Sequence, residues 1–143
     1  MNRLSDDGIV DVLAGNGIGV LAMAGPDGGA PYPLPVAYGY DPDTDVLAMQ
    51  LEGDESNRKH RCLDRTPAVG LSVYEEDESE RVWRSVVVTG RLVETSYDEA
   101  EPAFAALARN NQSAPNPVRW DDATEVVPFE LVVDRWSGRA FEV

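Results

Sequence analysis

Arg81-Val82-Trp83-Arg84-Ser85-Val86-Val87-Val88-Thr89-Gly90-Arg91-Leu92-Val93-Glu94 is the longest uninterrupted stretch of strand character in the chain. Valines dominate it, and β-branched side chains suit a pleated surface better than a helix. With a period of two, Val82, Val86 and Val88 share one face, and Trp83, Ser85 and Val87 share the other. Ser85 is thus a polar residue among apolar neighbours. The flanking sequence carries further strands.

Upstream, Ala68 to Tyr74 reads as a strand, and Glu75 to Glu80 as the polar hairpin loop joining it to the long strand. Earlier still, Ile18 to Ala24, Ala30 to Tyr40 and Val46 to Leu51 are strands separated by Gly25-Pro26-Asp27-Gly28-Gly29 and Asp41-Pro42-Asp43-Thr44-Asp45. Ser5 followed by Asp6 and Asp7 starts a helix whose apolar face is Ile9, Val12 and Leu13, stopped by Gly15-Asn16-Gly17. Downstream, Asp98 to Arg109 reads as an amphipathic helix burying Phe104, Ala105, Leu107 and Ala108, and 110–122 as loop. Glu125 to Trp136 and Arg139 to Val143 read as a closing hairpin across Ser137-Gly138.

Six or seven largely antiparallel strands with short helices imply a mainly β (α+β) fold, a small antiparallel β-barrel flanked by helices, in one domain spanning 1–143. Helices do not alternate with strands, and no glycine-rich loop follows a strand, which argues against a doubly wound dinucleotide fold.

Pro31, Pro33 and Pro35 alternate, so their missing N–H groups lie along one edge of the second strand. Two readings follow: an ordinary sheet edge, or an edge facing a ligand near Val36, Ala37 and Tyr38.

The chemistry-bearing stretch is Asp54-Glu55-Ser56-Asn57-Arg58-Lys59-His60-Arg61-Cys62-Leu63, which holds the only lysine, histidine and cysteine of the 143 residues. Arg58, Lys59, Arg61 and Arg65 concentrate positive charge in a chain of formal charge -14. Ser56 capping a helix would set free N–H groups and the positive dipole end beside Arg58 and Lys59, a phosphate site in outline. A solvated basic helix face balancing neighbouring acids is the competing reading.

Composition narrows the classes. There are 26 Asp and Glu against 12 basic residues, 11 of them arginine, a surface that repels nucleic acid. Excess carboxylate with almost no lysine suits a salt-rich cytoplasm, so a halophilic source is expected. The first residues lack the basic-then-apolar pattern of a signal peptide and no apolar run approaches a membrane span, so a cytoplasmic protein without a membrane partner is expected. One cysteine and one histidine argue against an internal disulfide and a clustered metal centre.

In order and character these pieces resemble the pyridoxamine 5'-phosphate oxidase-related family of flavin mononucleotide (FMN) binding split barrels, particularly its nitroimidazole-resistance-like branch. Gly29-Ala30-Pro31-Tyr32-Pro33-Leu34-Pro35-Val36-Ala37-Tyr38 resembles the strand along which the family's backbone passes the flavin ring. Asn57 to Leu63, with Thr66-Pro67-Ala68-Val69, is similar to its small residue, lysine and leucine run; Trp83 to Gly90 resembles its glycine-ended strand, and Trp136-Ser137-Gly138-Arg139 its carboxy-terminal turn.

The resemblance implies a homodimer with FMN at the subunit interface. Arg58 and Lys59 would hold the phosphate, Met49 and Gln50 would lie near the ring and ribityl chain, Val36, Ala37 and Tyr38 would pass the ring, and Ser85 would hydrogen-bond the cofactor. Asn57 stands where the family usually has glycine, and the acidic loop from Leu51 to Ser56 is longer than usual. The basic, histidine-containing ending associated with pyridoxal substrates is missing, which argues against vitamin B6 oxidation. The expected activity is FMN-dependent oxidoreduction of a small planar substrate. A flavin carrier or sensor without turnover, a deazaflavin F420 binder and a ligand-free structural dimer are the alternatives. No catalytic side chain is assigned; His60 reads more simply as a helix surface residue.

Overall fold

A computed structural model describes residues 1–25, 29–52, 63, 66–111 and 126–142. Among these residues seven strands and two helices follow in the order β1 (Asn2–Arg3), α1 (Asp6–Gly15), β2 (Ile18–Met23), β3 (Tyr32–Asp41), β4 (Val46–Glu52), β5 (Ala68–Asp77), β6 (Val82–Glu94), α2 (Glu101–Asn110) and β7 (Val126–Glu142). The sheet order is β1-β7-β4-β3-β2-β5-β6, and β6 pairs again with β7. Six antiparallel strands therefore close into a barrel, with β1 added beside the end of β7.

Alternation along each strand divides inside from outside. Leu21 and Met23 of β2, Tyr38 and Tyr40 of β3, Leu47 and Met49 of β4, Leu71 and Val73 of β5, Val86 and Val88 of β6 and Leu131 of β7 fill one interior. Helix α1 closes one end of it with Ile9, Val12 and Leu13. Its Ser5 hydroxyl accepts from the Gly8 N–H at 3.1 Å, the capping its sequence implies. At its other end Asn16 donates to Val12 O and to the Glu75 carboxylate, both at 2.8 Å. Trp136 Nε1 donates to Asp6 Oδ1 at 3.0 Å, tying the helix start to β7.

Helix α2 lies outside the barrel across β3 and β4, with Ala100 and Ala103 packed on Ala48. It approaches so closely that a Cβ on Gly39 would lie 1.9 Å from Ala103 O. Gly90 marks a second close approach, where the β6–β7 register shifts after Thr89 and a Cβ would lie 2.0 Å from Val132 O.

Three expectations are corrected. The carboxy-terminal hairpin is instead one strand, β7, because β6 pairs along it from Phe129 to Glu142, leaving Ser137 and Gly138 opposite Val87 and Val86. Gly138 serves α1 rather than a turn: a Cβ there would crowd Leu4 and Ile9 at 2.9 to 3.0 Å. Likewise Glu75, Glu76 and Asp77 belong to β5, opposite Arg84, Trp83 and Val82. The turn begins after Asp77, whose carboxylate accepts from Ser79 Oγ and Glu80 N. Finally, α2 buries Ala103, Ala106 and Leu107, whereas Ala105 and Ala108 are exposed and Phe104 is half-buried.

Candidate functional site: the split between β3 and β4

The β3–β2 ladder runs unbroken from Tyr32 to Ala37, but the β3–β4 ladder covers only Tyr38 to Asp41 against Met49 to Val46. The prolines account for the difference. Tyr38 N donates to Gly17 O at 2.9 Å on the β2 side. Alternation then turns the nitrogens of Val36 and Leu34 to β2 as well, and those of Ala37, Pro35 and Pro33 toward β4. Two of those three positions have no N–H, so the ladder cannot be continued there. β4 parts from β3 after Met49 yet stays paired with β7 through Glu52. The barrel is split along this line.

Val36, Ala37, Tyr38, Met49 and Gln50 are brought together where the ladder ends. Their side chains divide by parity. Val36, Tyr38 and Met49 point inward and are buried, whereas Ala37 and Gln50 face outward and are half-buried. The Tyr38 hydroxyl donates to Leu13 O at 2.9 Å, and burial first, then the charge of Glu75, raises its pKa well above the usual phenol value. Tyr38→Phe is expected to cost about 1 to 2 kcal/mol of stability by leaving the Leu13 carbonyl unpaired. A urea midpoint reads this loss.

Ser85 lies elsewhere. It pairs with Tyr74 and Arg139 on the outer surface, with β2 and β5 between its strand and β3. Arg58 and Lys59 lie outside the described residues. Sequence reasoning missed Tyr97, whose hydroxyl donates to Gln50 Oε1 at 2.9 Å. The two residues are 47 positions apart, and nothing local to Tyr97 marks it.

Outward positions of β2, β5, β6 and β7 form a second surface. Register aligns Pro35, Val20, Ser72, Val87 and Ser137 in one row and Pro33, Ala22, Gly70, Thr89 and Arg135 in the next. Ile18, Val20, Tyr74, Trp83, Val87 and Phe141 are all exposed on it. Tyr74 and Trp83 stack with centroids 5.3 Å apart. A groove of about 490 Å³ runs past Ala22, Gly70, Thr89 and Asp134 at one end. Among the described residues no three His, Cys, Asp or Glu side chains gather as metal ligands, and no helix is long and apolar enough to cross a membrane.

A closed six-strand antiparallel barrel, split beside one proline-bearing strand, defines the split-barrel class. The sequence profile described as pyridoxamine 5'-phosphate oxidase matches residues 5–140, and the chain belongs to that family. A FAD-binding protein from Mesorhizobium loti superposes with a TM-score of 0.73 at 26% identity, covering 99% of this chain and 98% of the other. A putative 5-nitroimidazole antibiotic resistance protein from Bacteroides thetaiotaomicron gives 0.71 at 16% identity, with 98% and 87% covered. A FAD-binding protein from Mycobacterium smegmatis gives 0.65 at 16% identity, with 99% of each covered. The last two share the fold. No curated protein matches the sequence.

Proposed function

We propose that this chain is a flavin-binding oxidoreductase of a small planar substrate, holding FMN at the β3–β4 split within a homodimer. The observation that carries the reading is the split itself, in a family whose structural neighbours include FAD-binding proteins. The residues fit a planar cofactor. Ala37, Pro35 and Pro33 put small, rigid side chains along the open edge, so a flat ring approaches the backbone of β3 without a bulky obstruction. Gln50 adds a carboxamide beside it, and Arg58 and Lys59 bring two cations within the segment after β4. One phosphate matches that pair, which favours FMN over FAD.

Bound flavin supplies hydride or electron chemistry, and the protein's part is to position it and exclude water. The exposed face of β2, β5, β6 and β7 is the surface for a second copy, consistent with a twofold interface formed by one self-complementary patch. Such a partner would bring Ser85 to the opening that its own barrel keeps it from.

Titration with FMN, FAD and F420 in molar salt, read by flavin fluorescence and absorbance, tests the cofactor. FMN is expected to bind most tightly. Lys59→Ala should weaken FMN by about 1.5 to 3 kcal/mol, the range for hydrogen bonds to a charged group. Unchanged affinity would remove Lys59 as the phosphate ligand, and tighter FAD binding would replace FMN with the dinucleotide. Reduction by a nicotinamide cofactor followed by reoxidation with an added acceptor separates an oxidoreductase from a carrier.

A further inference from the structure

We infer that Tyr97 is a positioning residue: it holds the Gln50 carboxamide with its oxygen occupied, so that the amide N–H donors are presented to an acceptor on a ligand at the β3–β4 split. The inference rests on the flavin reading above and names the group through which the protein recognises the cofactor's carbonyl or hydroxyl oxygens.

Gln50 is the first residue of β4 beyond the ladder to β3, and its side chain lies on the outer face. An unrestrained glutamine presents either end of its amide and loses rotamer freedom on binding. Here the Tyr97 hydroxyl, which always has a proton to give near neutral pH, donates to Oε1 at 2.9 Å. Desolvation raises its pKa further, so it stays a donor. Among the described residues Nε2 has no hydrogen-bond partner, and its two N–H groups are the donors the inference assigns to a ligand.

Tyr97 is itself placed by packing. Its ring meets Phe104 at a centroid distance of 4.8 Å, and Phe104 rides on α2, whose alanines press on Ala48 two residues before Gln50. The end of the β3–β4 ladder, α2, Tyr97 and Gln50 therefore form one connected unit. Nothing in this unit closes the barrel core, which Met49 and Leu51 fill from the other face of β4. A hydrogen bond on the outward, exposed side contributes little to folding and instead sets which end of an amide meets the ligand.

The test is a double-mutant cycle on FMN affinity with the full-length protein, together with the visible spectrum of the bound flavin and the melting temperature. Tyr97→Phe is expected to raise the FMN dissociation constant about five- to tenfold, the effect of one neutral hydrogen bond, and to shift the flavin absorbance while melting stays unchanged. Gln50→Glu keeps an acceptor for Tyr97 but loses the N–H donors, so it is expected to weaken FMN at least as much. Adding Tyr97→Phe to Gln50→Ala is expected to change nothing further, because Tyr97 acts through Gln50.

Wild-type affinity and spectrum in Tyr97→Phe overturn the inference, as do losses that simply add in the double variant. Wild-type protein that takes up no flavin overturns the flavin reading and this inference together, an outcome distinct from the first two.

Discussion

Gly39→Ala is expected to lower stability by about 3 kcal/mol, the upper end of the usual range for overpacking. The added carbon would lie 1.9 Å from Ala103 O and 2.5 Å from Leu107 N. Both are backbone atoms, so no rotamer change relieves the contact, and α2 must move off the sheet. Moving it uncovers Ala48, Ala100 and Ala103 and withdraws Phe104 from Tyr97. Gly70→Ala is the control. Its Cβ would find only Val88 O, at 3.8 Å, and alanine removes chain entropy that glycine carries in the unfolded state. Its urea midpoint should therefore be unchanged or higher, whereas that of Gly39→Ala should fall with an unchanged slope. Equal midpoints for the two variants would show that α2 does not press on β3 as described.

The barrel was legible because its strands alternate cleanly and its turns are marked by glycine, proline and aspartate. Val86 and Val88 are buried and Val87 exposed, as period two requires. Ile9, Val12 and Leu13 are the buried face of α1 for the same kind of reason. The readings that failed are those where tertiary pairing overrides local chemistry. Ser137-Gly138 has turn composition, yet β6 pairs straight through it and α1 requires the missing side chain. Glu75 to Asp77 look like solvated loop, yet their backbones pair with β6, with Arg84 donating to Glu75 and Glu80. Ala105 and Ala108 carry no signal of which helix face is inward, since alanine fits either.

The site was partly legible. The alternating prolines identified an edge, and the observed register shows why: both strand prolines turn their nitrogens to the side where β4 departs. Both earlier readings of that edge are compatible with this geometry, because an edge that cannot pair is also one that a ligand can approach. Tyr97 was not legible at all. Its role depends on where α2 settles, a contact set by Gly39 and Ala48 rather than by anything beside Tyr97 in the chain.

Val87→Asp is expected to convert the proposed dimer into a monomer of 15.6 kDa and, with it, to abolish the proposed tight flavin binding. Val87 lies in the middle of the outward row between Ser72 and Ser137, on the face that also exposes Val20, Trp83 and Phe141. In a twofold interface every substitution occurs in both copies, so two unpaired carboxylates would be buried, at several kcal/mol each. The flavin consequence follows from strand order. Ser85 stands three strand spacings from β3, roughly 14 Å around the barrel, too far to reach a ligand at the split of its own chain. In the proposed dimer a second copy would bring it there. Sedimentation of wild-type and Val87→Asp protein in molar salt, paired with FMN titration, reads both effects. A monomeric variant that binds FMN as tightly as wild type would mean that one barrel makes a complete site. A variant that stays dimeric would place the interface on another face. Loss of dimer and flavin together, with the variant's melting still cooperative, is the outcome expected if the exposed sheet face is half of the cofactor site.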